Sequence, residues 1–147
     1  MAIRRRSGRV VVAGTLPRKS NNRILLRSGR QCPVCKKRMG PLRSVFKKEA
    51  VQYRAAFCAG IPASARQGLG CTEHPLVVVA DVFYPWRTKG DLSIEFLLDC
   101  LTAAGVIRDD RYVVEHRIRK FTSKERPRVE VEVEELEEWP WHGDEAR

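Results

Sequence analysis

No apolar run in this 147-residue chain approaches the length of a membrane-spanning helix. Behind the basic start Met1–Arg6, the stretch Val10–Ala13 is too short for a signal peptide, so a cytoplasmic protein is expected. Histidine is scarce, at three, and one of them is His142 near the C-terminus, so no Ser-His-Asp set is evident. Gly68, Gly70 and Gly105 lack the context of a phosphate-binding loop. Glycine and proline are not in excess and there is no internal repeat, which points to one ordinary domain with its own core. Five cysteines, an odd number including one Cys-x-x-Cys, argue for a reducing compartment and metal binding over a disulfide framework.

Acidic residues are nearly missing from the first 54 positions, where Glu49 stands alone against 16 Lys and Arg. Residues 130–147 hold eight of the 18 acids against one base, Arg147. The formal charge of +10 therefore conceals a strongly cationic body and an acidic end. A field of one sign this dense is the footprint of a polyanion, and nucleic acid is the leading partner.

The pattern along the chain is mixed. Arg9–Thr15 reads as a strand and Ile24–Leu26 as a short second one. Residues 28–42, with Gly29, Pro33, Gly40 and Pro41 among charges, read as a loop or knuckle. Ser44 is placed to cap a helix through Phe46, Ala50, Tyr53, Ala56 and Phe57, ended by Gly60 and Pro62. His74–Tyr84 is β-branched and proline-flanked, a central strand. Asp91–Ala104 turns helical, with Ile94, Leu97, Leu98 and Leu101 on one face and Gly105 as a left-handed terminator. Arg111–Phe121 alternates, and Pro127–Leu136 alternates almost perfectly between valine and glutamate, as a half-buried antiparallel strand does. The expectation is an α+β fold, a small mixed or antiparallel sheet with two helices, in one domain over 1–136. An acidic tail follows over 137–147, with Trp139 and Trp141 pinning its start.

Asp91, Glu95 and Asp99 recur every fourth residue and so share one helix face, although like charges at that spacing repel. Charge runs of this kind are usually a solvated face; what raises a functional reading is Asp109-Asp110, where the chain returns after Gly105. Carboxylate oxygens in such a set suit Mg²⁺ or Mn²⁺ beside a phosphate.

The run Asp99-Cys100-Leu101, Ala104-Gly105-Val106 and Asp109-Asp110-Arg111-Tyr112-Val113-Val114 resembles the RusA-like Holliday junction resolvases in order and spacing. Lys120, the strand Val129–Val133, the opening Leu16-Pro17 with Ser20–Arg23, and Tyr53-Arg54 extend the likeness over most of the chain. The resemblance implies a metal-dependent endonuclease that resolves four-way junctions in recombination or repair, a homodimer of bacterial or phage origin. It implies metal ligation by Asp91 and Asp110. It also shows three departures: Lys89 stands at the family's first helix-start acid, Leu92 at its asparagine and Glu95 at its catalytic lysine. Glu95 would then supply a replacement ligand, with Asp99 and Asp109 as helpers. On this reading Arg18, Lys19, Asn22, Arg23, Arg87, Lys89 and Lys120 are the candidates for DNA contact. The alternative is a catalytically impaired nucleic-acid-binding protein with a zinc knuckle; a ribosome-associated zinc-ribbon protein is a third reading.

Gln31-Cys32-Pro33-Val34-Cys35-Lys36 has the form of a zinc knuckle, and Cys71-Thr72-Glu73-His74 offers a second pair. A structural Zn²⁺ held by Cys32, Cys35, Cys71 and His74 would clip the loop to the start of the central strand. Cys58 and Cys100 read as small apolar core residues.

Overall fold

The structure, a computed structural model, describes residues 4–17, 23–27, 29–38, 40–87, 92 and 94–140. Strand β1 (Arg4–Ala13) is followed by a hairpin of β2 (Arg23–Arg27) and β3 (Leu42–Phe46) and by helix α1 (Lys48–Gly60). Strand β4 (Leu76–Tyr84), helix α2 (Ile94–Ala103), and strands β5 (Val113–Thr122) and β6 (Arg128–Leu136) complete the domain. The four-stranded sheet has the order β1-β6-β4-β5; β6 runs antiparallel to both neighbours and β4 parallel to β5. The fold is α+β with a mixed sheet and two helices, as the periodicities predict.

Strand β6 explains the layering. Val129, Val131 and Val133 are buried on one face, while Glu130, Glu132 and Glu134 alternate onto the other. In register beside them, β4 buries Leu76, Val78, Ala80, Val82 and Tyr84, and β1 buries Val10 and Val12. These side chains form one core with the helices. Helix α1 contributes Ala50 and Phe57 with Tyr53 between them, and α2 contributes Phe96, Leu97, Leu98, Cys100 and Leu101. Each buried valine is worth about 1.5–3 kcal/mol over its exposed state.

Several boundaries differ from the expected ones. Ser44 lies in β3, paired with Leu25, and does not cap a helix; Phe46 also belongs to β3. Helix α1 begins at Lys48 without a side-chain cap, because the cross-strand register of the hairpin claims residues 42–46 first. Strand β1 starts earlier than Arg9 and ends at Ala13, since β6 supplies a partner along its whole length. A 3₁₀ turn, Asp110–Tyr112, precedes β5, which therefore starts at Val113 rather than Arg111. The described part of α2 starts at Ile94, and Asp91 and Ser93 lie outside the described residues.

Long-range ties hold the helix ends. Arg66 donates to the carbonyls of Cys58 and Ile61 at the end of α1 and to Ala104 after α2, so one guanidinium serves two helix C-termini. Trp139 donates through Nε1 to the Thr72 carbonyl, which anchors the segment after β6; Trp141 lies outside the described residues. Gly70, at φ +91°, brings its backbone against Leu76: a Cβ there would sit 2.7 Å from Leu76 Cδ1. Its amide donates to the buried Glu135 carboxylate at 2.9 Å. Gly70→Ala is expected to cost about 1–3 kcal/mol, from the left-handed backbone and the overpacked core together. Urea unfolding measures it, and a variant as stable as the parent would show that Leu76 yields freely.

Candidate active site

Helix α2 positions the central carboxylates. Its first turn lies at the Tyr84 end of the sheet, where Phe96 packs on Tyr53 with ring centroids 6.1 Å apart. It ends at Gly105, φ +74°, whose amide donates to Thr102 while Val106 donates to Leu101. The chain then runs beside Leu69, which donates to Val106 and accepts from Arg108. That tie delivers Asp109 and Asp110 to a turn packed against α2, level with the start of β4.

The two adjacent aspartates have different surroundings. Asp109 accepts the Arg111 amide at 3.0 Å through Oδ1 and faces Arg111 Nε at 3.3 Å through Oδ2. Its carboxyl is held below the ordinary value, first by the Arg111 amide and then by the Arg111 charge and a hydrogen bond shared with Asp110, against partial desolvation. Asp109 therefore serves as the cap of the turn. Asp110, the first residue of that turn, is exposed. On α2, Glu95 is exposed in the first turn and Asp99 is half-buried one turn on. Among the described residues, no three His, Cys, Asp or Glu side chains come together as a metal-holding group.

A second acidic set, not anticipated from the sequence, lies on the open face of the sheet. Asp81 accepts from Arg119 Nε and Nη2 at 2.7 and 2.8 Å, and Glu130 accepts from Arg128 at 2.7 Å and Arg9 at 3.2 Å. With Glu132 they line a cavity of about 230 Å³. Arg128, then Arg9, holds the Glu130 carboxyl below its usual value. Asp81 and Glu130 are thus matched by cations. Arg128 and Glu130 are neighbours on one face of β6, but only the cross-strand register brings Arg9, Asp81 and Arg119 to them.

A larger cavity, about 630 Å³, opens at the other end of the core. Tyr53, Tyr84 and the exposed Trp86 line it with Lys47, Glu49 and Gln52. The Tyr53 hydroxyl is buried with no partner among the described residues, and burial raises its pKa. Tyr84 and Trp86, on either side of Pro85, are the sequence signal for this wall.

Of the residues expected at a DNA surface, Arg87 is exposed just past Trp86, and Lys120 is exposed on β5. Arg23 begins β2. Arg18, Lys19, Asn22 and Lys89, like Asp91, lie outside the described residues.

The expected zinc ligands separate into two pairs. Cys32 and Cys35 share one tight turn in the β2–β3 loop, where the Cys35 and Val34 amides hold the Cys32 thiol below its usual value. Cys71 and His74 form another turn, with Cys71 N donating to His74 O and His74 N to Cys71 O, and His74 Nδ1 lies 3.0 Å from the Glu137 carbonyl. The second turn leads into the first residue of β4, whereas β3 leads through Lys47 into the cavity wall at Tyr84, the last residue of that strand. The bases of the two segments are thus separated by the length of β4, and the pairs do not combine among the described residues. Cys100 is buried, its thiol pushed up to about 12 chiefly by desolvation, and Cys58 packs at the core margin.

The layered α+β domain, its acid-bearing turn against a helix and its cationic body describe a small enzyme or binder of nucleic acid. The family model described as Endodeoxyribonuclease RusA matches residues 29–134, and the chain belongs to that family, whose members are Holliday junction-resolving endonucleases. No curated protein sequence matches the chain. No helix of the described residues is long and apolar enough to cross a membrane.

The two aspartates are expected to separate by function. Asp109→Asn should lower the melting temperature at neutral pH, because its depressed carboxyl stabilises the fold above the unfolded-state value and loses that effect as pH falls through the folded one. The gap from the parent should close in acid. Asp110→Asn should melt like the parent, and equal losses in both variants would refute the division.

Proposed function

We propose that the protein is a divalent-metal-dependent endonuclease that resolves four-way DNA junctions in recombination or repair. It acts as a homodimer in a bacterial or phage-infected cytoplasm. The observation that carries this reading is the exposed Asp110 carboxylate, on a turn packed against α2 and inside the family match. Asp91 and Asp110 would ligate Mg²⁺ or Mn²⁺, with Glu95 in place of the family's lysine and Asp99 and Asp109 supporting the site. Glu95, in the first turn of α2 at the Tyr84 end, and Asp110, level with the start of β4, are not brought together within one protomer, so a shared ion would draw them from the two protomers of the homodimer. Oxygen donors of this kind suit a hard cation that also binds the scissile phosphate. The ion would activate water and stabilise the leaving oxygen. Arg18, Lys19, Asn22, Arg23, Arg87, Lys89 and Lys120 would hold the DNA backbone, and Trp86 offers an exposed ring to an unstacked base.

A second reading, a junction-binding protein with impaired catalysis, is favoured by Lys89 and Glu95 at positions where the resembled family carries an acid and a lysine. Cleavage of a labelled four-way junction in Mg²⁺ or Mn²⁺, beside a linear duplex, separates the two. Paired symmetric nicks are expected, reduced in Asp110→Asn by more than the roughly 10–100-fold that loss of an outer-shell partner costs. Tight binding without cleavage in either metal would establish the second reading. Junction affinity should fall with salt, and Arg87→Ala should reduce the log–log slope by about one; an unchanged slope would remove Arg87 from the interface.

A further inference from the structure

The Cys32–Cys35 turn is wound in a way that its sequence alone does not require. Cys32 N donates to Lys37 O at 2.8 Å, and Lys36 N returns to Cys32 O at 2.9 Å. Gln31 and Arg38 close the loop as an antiparallel bridge. Lys36 has φ +60°, the one positive value on a non-glycine among the described residues, immediately after the second cysteine. Two thiols on one tight turn form half of a tetrahedral thiolate site. No third ligand joins them among the described residues.

This half-site stands on a ribbon that pairs with no strand of the main sheet. Val34, between the cysteines, is 89% exposed. Leu25 and Leu42, on one face of the ribbon by register, are 68% and 55% exposed. Exposed apolar side chains around an incomplete metal site call for a covering partner that also brings ligands.

We propose that the Cys32–Cys35 knuckle is half of a zinc site completed by the same knuckle of a second copy of this chain, giving a shared Cys₄ centre. A second copy fits because a two-fold contact supplies an identical pair of thiols and an identical apolar patch. Charge makes the contact conditional on the ion. Arg30, Lys36, Lys37 and Arg38 crowd each tip, so two bare tips repel. Binding converts four thiols to thiolates and releases their protons to buffer, leaving a zinc–thiolate core of net charge −2 that the surrounding bases stabilise. The ribbon thus acts as a metal-dependent clasp between protomers, independent of whether the enzyme cleaves DNA.

The test uses the full, reduced chain titrated with Co²⁺ as a spectroscopic substitute for zinc, with sedimentation run in parallel. The expected endpoint is one metal per two chains, with thiolate-to-metal bands of a tetrahedral site. Chelator should abolish both the bands and the metal-induced increase in mass. The Cys32→Ser/Cys35→Ser double variant should lose the bands and keep its fold by circular dichroism, while Cys71→Ser and His74→Ala should keep the bands. One metal per chain, or bands lost in Cys71→Ser or His74→Ala, would overturn the proposal in favour of a site within one chain. Absence of thiolate bands in the reduced parent would overturn it outright. Stoichiometry in the parent decides the matter even if the double variant does not fold.

Discussion

The structure depends on the insertion of β6 between β1 and β4. Its alternating valines and glutamates allow only one orientation once a core forms, because a one-residue slip would bury the glutamates and expose the valines. With β6 seated, the first and fourth strands, with 62 residues between Ala13 and Leu76, share one sheet. The helices cover the face that carries the valines. The opposite face is left to the glutamates, of which Glu130 meets Arg9 from β1 and Arg128 from β6 itself.

The same seam separates two ends of the molecule with different duties. At the Leu76 end, Gly70, Glu135, Leu69 and Arg66 bind loops and helix termini together, and this scaffold delivers Asp109 and Asp110. Asp109 is used by the backbone as a cap, which leaves Asp110 exposed beside it. At the Tyr84 end, the aromatic wall of Tyr53, Tyr84 and Trp86 meets the first turn of α2.

Much of the fold was legible because its signals are local. The β-branched run before Tyr84, the apolar face of α2, the left-handed Gly105 and the valine–glutamate alternation each occur within a few residues. The likeness to the resolvases was legible for the same reason, since its motifs are short and ordered. What failed locally was decided at a distance. Ser44 has the chemistry of a helix cap, yet Leu25 across the ribbon makes it a strand residue. Cys71 and His74 have ligand spacing, yet their turn leads into the far end of the strand from the ribbon's base.

By itself the sequence determined the α+β class, both helices, most strand positions, the cationic body and the family. These follow from composition and from periodicities that neighbouring residues set without reference to the rest of the chain. Only the tertiary structure decided which strands pair, that Asp109 caps a turn while Asp110 stays exposed, that Asp81 and Glu130 are neutralised by arginines, and that the zinc-like cysteines stand apart from Cys71 and His74. Strand order and side-chain partnership depend on contacts between distant segments, and no local pattern records them.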